Sequence, residues 1–111
     1  VAGGTDATPI GDYRVWPAVE FQVTGASLGN AVVRPPDQRM TRQEALKSYT
    51  WNAAYAAKEE TLKGSLAVGK LADITVLSKN IMTVPEGEIP ATDVVYTIVG
   101  GKVAYRGAAA K

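Results

Sequence analysis

Apolar and polar positions along this chain fall into two textures, one helical and one extended. Val15, Val19 and Val23 recur at steps that place them on one face of a brief helix. Trp16-Pro17 stands at its start, where the missing proline N–H removes no intrahelical bond. A longer helical face follows in Ala45, Leu46, Tyr49, Ala53 and Ala56. It is preceded by Thr41-Arg42-Gln43-Glu44, a capping box with Thr41 as N-cap and Glu44 three residues on. This pattern predicts a helix to about Lys58, with room for a break near Thr50, and Gly64 stops any continuation. Beyond Gly64 the period changes. Ile74 and Val76 alternate with Thr75 and Leu77, and Val94 to Val99 is rich in β-branched residues. Gly100-Gly101 then supplies the positive φ that a two-residue hairpin needs, and Lys102 to Arg106 reads as the return strand.

The intervening stretches read as connections. Val1 to Thr8 is a short apolar start running through Gly3-Gly4 into Thr5-Asp6, the pattern of a strand end entering a loop. Gly25, Gly29 and Pro35-Pro36 punctuate residues 25–40, and Ala31-Val32-Val33 between them suits either helix or strand. Pro85, Gly87 and Pro90 predict a surface loop over residues 79–93. The Gly-Ala-Ala-Ala-Lys tail is expected to fray. The chain thus divides into residues 1–62, with strand, loops and helices, and residues 63–111, a small β unit. Three strands with one apolar face rarely stand without something packed on them.

Composition narrows the chemistry. The 111 residues carry a formal charge of +1 with Lys and Arg dispersed, so nothing draws the chain to nucleic acid or an anionic membrane. No apolar run is long enough to span a bilayer. There is no Cys, hence no disulfide, zinc thiolate site or cysteine nucleophile, and a cytoplasmic location is unopposed. There is no His, so the commonest general base and zinc ligand are both missing. The first residue is Val1, and VAGGTD lacks the basic start and apolar core of a signal peptide. It reads as an interior strand of something longer.

The string Gly64-Ser65-Leu66-Ala67-Val68-Gly69-Lys70-Leu71-Ala72-Asp73 resembles the G-S-L-x-x-G-K-x-A-D segment that follows the barrel in the amidohydrolase superfamily. Other pieces agree in the same order. Gly4-Thr5-Asp6 resembles that superfamily's strand-end aspartate motif. Ala45-Leu46 with Thr50-Trp51-Asn52-Ala53-Ala54 resembles its A-L…T-x-N-A-A helix, and Thr97 to Val103 resembles its closing hairpin. Asn80 to Pro85 fits the branch that includes the N-substituted formamide deformylases. The resemblance implies an α+β piece of a larger fold: the last strand and helices of a (β/α)8 barrel, then the C-terminal part of a small β-sandwich. The H-x-H motif, the later metal-binding histidines and any bridging carboxylated lysine would lie outside this chain.

The same resemblance assigns Asp6 a double role as catalytic residue and metal ligand. Barrel enzymes place reacting groups at the C-terminal ends of strands. A carboxylate beside a divalent ion can ligate it and accept a proton from metal-bound water, whose pKa the metal lowers toward ~7. It can then return that proton to a leaving amine. Without the resemblance, Asp6 would read as a loop-capping aspartate. Arg34, before Pro35-Pro36, is a candidate for holding a substrate carboxylate or carbonyl, because its planar fork suits such groups. The commoner role at such a place is a loop arginine. Thr5 and Thr8 are candidate hydroxyl donors whose commoner role is structural. Asp73 reads as a turn or strand-entry residue, Trp16 and Trp51 as packing anchors, and Glu59-Glu60 as a solvated face.

Two functions follow. The first is part of a metal-dependent hydrolase acting on a non-peptide carbon–nitrogen bond of a small amide or cyclic amide. Its cofactor would be a divalent metal, zinc by preference. This chain alone is expected to hold no metal and to be inactive, since a catalytic ion takes about three protein ligands. The second is a non-catalytic β-rich assembly or binding module. Either way, apolar faces meant for further protein would drive self-association or contact with a missing N-terminal part.

Overall fold

The computed structural model describes residues 1–5, 13–27 and 29–111. Helix α1, Val15–Thr24, carries Pro17 in its first turn and closes on Gly25, whose φ is 72° and whose N–H donates to the Phe21 carbonyl at 2.9 Å. Gly25 is required twice over. Its left-handed backbone suits glycine, and a Cβ there would lie 2.5 Å from the Arg34 carbonyl oxygen. The chain then turns back on itself, with Ala26 bridged antiparallel to Val32 and the Val33 and Arg34 N–H groups both donating to Gly25 O. Val32 is therefore extended. The Pro35-Pro36 break becomes a single 3-10 turn, Pro36–Gln38.

Helix α2, Arg42–Ser48, begins with the expected capping box. Thr41 Oγ1 accepts from the Glu44 N–H, and the Glu44 carboxylate accepts from the Thr41 N–H at 2.8 Å. The break near Thr50 is real: α3, Trp51–Ala56, starts afresh after a Thr50 backbone at φ −124° and ψ −94°. Ser48 Oγ donates to the Ala45 carbonyl and Thr50 Oγ1 to the Leu46 carbonyl. Such back-bonding hydroxyls favour bending, and two of them fall at this corner. Gly64, at φ 87°, packs into the notch, where a Cβ would meet Ala54 Cβ at 2.7 Å.

The core lies where α1, α2 and a 3-10 turn at Glu86–Ala91 meet. Val19, Ala45 and Ile89 are its buried residues, ringed by Val15, Trp16, Val23, Met40, Tyr49 and Val84. Trp16 is thus a packing anchor as expected. The surface-loop expectation for residues 79–93 needs correction. Ile81 and Ile89 are both buried. The prolines and Gly87 interrupt any period, yet the turn they allow drives Ile89 between the two helices, and Arg42 Nη1 donates to the Ile81 carbonyl at 2.8 Å.

Strands β1, Ile74–Leu77, β2, Val94–Val99, and β3, Lys102–Arg106, form an antiparallel sheet in the order β1-β2-β3. Ile74 stands opposite Ile98, which stands opposite Val103. Gly100 and Gly101 make the hairpin at φ 55° and 79°. Asp73, read as a turn or strand-entry residue, stands just before β1, and its carboxylate accepts from the Gly100 N–H at 2.8 Å. The tail differs from the fraying expected. Buried Gly107 donates to the Val95 carbonyl, and Tyr96 Oη donates to the Lys111 carbonyl at 2.8 Å. Val1–Thr5, expected as a strand end, joins no ladder; its backbone is instead held by helices, as described next.

Candidate functional site

Residues 1–5 lie along the corner between α2 and α3. The Gly3 N–H donates to the Ser48 carbonyl at 2.9 Å, and Asn52 Nδ2 donates to the Val1 carbonyl at 2.8 Å. Tyr49 Oη reaches the Gly4 carbonyl at a long 3.5 Å. Gly3 presses on the Tyr49 ring, where an added Cβ would come within 2.7 Å of ring carbons. The break at Thr50 makes this possible. It turns Ser48 and Tyr49 at the end of one helix, and Asn52 in the first turn of the next, toward the same strip of backbone.

Asp6 and Thr8 lie outside the described residues. Thr5, the last described residue before Asp6, is half-buried. Arg34 is held in the turn after α1. Its guanidinium sits over the Phe21 ring, 4.8 Å from the centroid, and its carbonyl accepts from Arg39 Nε. None of these contacts reaches residues 1–5. Trp51 stacks on Tyr55 with centroids 5.2 Å apart, and Lys47 Nζ lies over the Trp51 ring at 4.8 Å from its centroid. Ser48, Tyr49 and Asn52 were not singled out as site residues from sequence. The available signal was Asn52 itself, a poor helix former just before Ala53-Ala54.

Several described carboxylates are held by near neighbours. Glu44 is tied to Thr41, which holds its carboxyl below the usual range through the Thr41 N–H. Glu59 pairs with Lys63 at 2.6 Å and Glu88 with Lys79 at 2.9 Å. Among the described residues no three His, Cys, Asp or Glu side chains converge to hold a metal ion. The described residues by themselves therefore do not fit a metal centre. Among them, too, no helix is long and apolar enough to cross a membrane.

Glu20, on α1, is the carboxylate under stress. Burial raises its pKa above 4.5, and the negative charge of Glu86 raises it further. A raised carboxyl pKa means the folded state holds the proton more tightly than the unfolded chain. The resulting deficit is absent below the unfolded value and fully present above the folded one. Glu20→Gln should therefore raise the urea midpoint relative to the unsubstituted chain near pH 7 and lose that advantage near pH 3. An equal gain at both values would remove charge burial as the cause.

The chain belongs to the amidohydrolase family, whose model matches residues 1–105. That stretch contains the clamped N-terminal segment, both helices of the corner and nearly all of the sheet. Among individual proteins, the chain is similar to the N-substituted formamide deformylase of Arthrobacter pascens, with 33% identity over 102 residues. The match takes in 87% of this chain and 18% of that enzyme, so the chain spans under a fifth of its relative's length. No solved structure matches.

Proposed function

We propose that this chain forms part of a metal-dependent hydrolase that cleaves a non-peptide carbon–nitrogen bond in a small amide, with an N-substituted formamide as the first substrate to try. The observation that carries this reading is the family match across residues 1–105, which includes Gly4-Thr5-Asp6. The similarity to a formamide deformylase supports the choice of substrate class. In this reading Asp6 is a metal ligand and moves a proton from the attacking water to the departing amine. The remaining ligands come from protein beyond these residues, because the chain has no His. A divalent metal, zinc by preference, would supply Lewis-acid activation there when bound. Arg34 keeps a secondary place as a substrate-holding candidate.

The test is formate release from N-substituted formamides, with metal content measured after dialysis. The protein encoded by the whole surrounding reading frame should release formate and retain the ion, and the 111-residue chain alone should do neither. No formate from the formamides, and no carboxylate or amine product from a panel of other amides and cyclic amides, would end this reading. It would leave the non-catalytic module as the alternative.

The exposed surface supports a partner for the chain. Leu66 and Val68 are 79% and 107% exposed, and Val99, Val103 and Tyr105 line open parts of the sheet. Apolar side chains this bare favour association. The isolated chain should show an apparent mass that rises with concentration in light scattering. A mass constant at one chain over the accessible range would contradict that.

A further inference from the structure

We propose that two copies of this chain join through β1, edge to edge and antiparallel, into one continuous sheet of strand order β3-β2-β1-β1-β2-β3. The pairing does not depend on which bond the complete protein cleaves. The sheet has two edges, β1 and β3, and they differ in chemistry. β1 reads Ile-Thr-Val-Leu and carries no charge. β3 carries Lys102 at its start and Arg106 at its end, and all 5 of its residues are exposed. Two β3 strands paired antiparallel end to end would set Lys102 against Arg106 on both sides, and like charges directly opposite are destabilising. Charges on an edge strand guard it against pairing. The β1 strand has no such guard.

The backbone of β1 fixes the register. The Gly101 N–H donates to the Ala72 carbonyl and the Ser78 N–H to the Asp93 carbonyl, so residues 72, 74, 76 and 78 turn their backbone groups toward β2. The register shift against β2 leaves Val95 as the extra residue, so the alternation along β1 itself is regular. Thr75 and Leu77 therefore turn their N–H and C=O groups outward, where they meet no partner among the described residues. A two-fold axis at Val76 satisfies them. Thr75 then lies opposite Leu77 of the second copy, and Leu77 opposite its Thr75, each pair exchanging both bonds. Charge selects this axis over its neighbours at Thr75 or Leu77, because it also sets Asp73 opposite Lys79 of the second copy, twice by symmetry. Lys79 already holds Glu88 at 2.9 Å in a partly exposed pair, so Asp73 brings a second carboxylate to the same ammonium. Val76, 38% exposed, meets its own copy in a non-hydrogen-bonded pair, where side chains lie closer. The contact is isologous and closes at two copies.

The test is light scattering of the 111-residue chain with amide exchange measured at low and high concentration. Mass should rise to that of two chains and stop there. Exchange at Thr75 and Leu77 should slow about 10-fold on concentration, while Gly107, already bonded within the sheet, changes little. Thr75→Pro removes an outward N–H and leaves the β1–β2 bonds in place, since proline is tolerated on an edge strand at such a position. Its mass should stay at one chain at every concentration. Lys79→Glu, which lies outside the strand, should weaken association about 10-fold by opposing two carboxylates on each side, and it decides the matter if Thr75→Pro does not fold. Lys102→Glu, on the other edge, should leave association unchanged. A mass fixed at one chain for the unsubstituted protein would overturn the pairing. So would growth past two chains, the mark of β1 joining β3 head to tail. Association indifferent to both β1-side substitutions, or strengthened by Lys102→Glu, would equally overturn it.

Discussion

Asp6→Asn is expected to reduce turnover of an N-substituted formamide by about 10²- to 10⁴-fold in the complete protein, the range that a positioned acid–base group contributes. The substitution is nearly isosteric, so size is not the issue. In the proposed reading, an amide could not accept the attacking water's proton or pass it to a leaving amine, and it would be a weaker metal ligand than a carboxylate. Both losses act on the transition state more than on substrate binding, so kcat should fall while KM moves little. Asp6→Glu keeps the charge but displaces it by a methylene, and should give an intermediate rate. Metal content separates the two jobs. If Asp6→Asn retains the ion yet is inactive, proton transfer is the main role; if the ion is lost as well, ligation contributes. Turnover within a few-fold of the unsubstituted protein would remove Asp6 from the chemistry and move the search to residues outside this chain.

What could be read from sequence was read where one local rule acted alone. The Thr41–Glu44 capping box appears in the structure with both reciprocal bonds, because its partners are three residues apart and need no tertiary help. The Gly100-Gly101 hairpin was legible for the same reason, whereas the bond from the Gly100 N–H to Asp73 joins residues 27 apart and was not. The break near Thr50 was visible as a loss of clean periodicity, but its purpose was not. That purpose depends on Gly3, Val1 and Asn52 meeting across some fifty residues of chain, as the pairing of Asn52 with Val1 shows. The buried Ile89 was illegible in a different way. Pro85, Gly87 and Pro90 erase the period on which burial is read, so an isoleucine between them looks like any loop residue. The tail misled because its order comes from Gly107 entering against β2, a contact no alanine run announces. For the site, Asp6 rests on the resemblance alone, and the structure adds the residues that hold Val1, Gly3 and Gly4.

Ile89→Ala is expected to cost about 2–5 kcal/mol, the range for truncating a fully buried aliphatic side chain. Ile89 is 0% exposed and fills the space among Val19, Ala45 and their neighbours, so removing three carbons leaves a cavity that α1 and α2 must close or tolerate. A domain of this size has roughly 5–15 kcal/mol of stability in all, so the loss takes a large share. The urea midpoint should fall with little change in slope. Val68→Ala, on a side chain that is wholly exposed, should stay within about 0.5 kcal/mol and serves as the control. The consequence extends to the corner. Tyr49 packs against this core and also backs Gly3, so a cavity at Ile89 loosens the wall on which the N-terminal segment rests. Gly3 exchange should therefore accelerate in Ile89→Ala even at urea concentrations where the chain remains folded. Ile89→Ala with a midpoint near that of Val68→Ala would mean that the Glu86–Ala91 turn is an accessory to the fold. The core would then have to be sought between α1 and α2 alone.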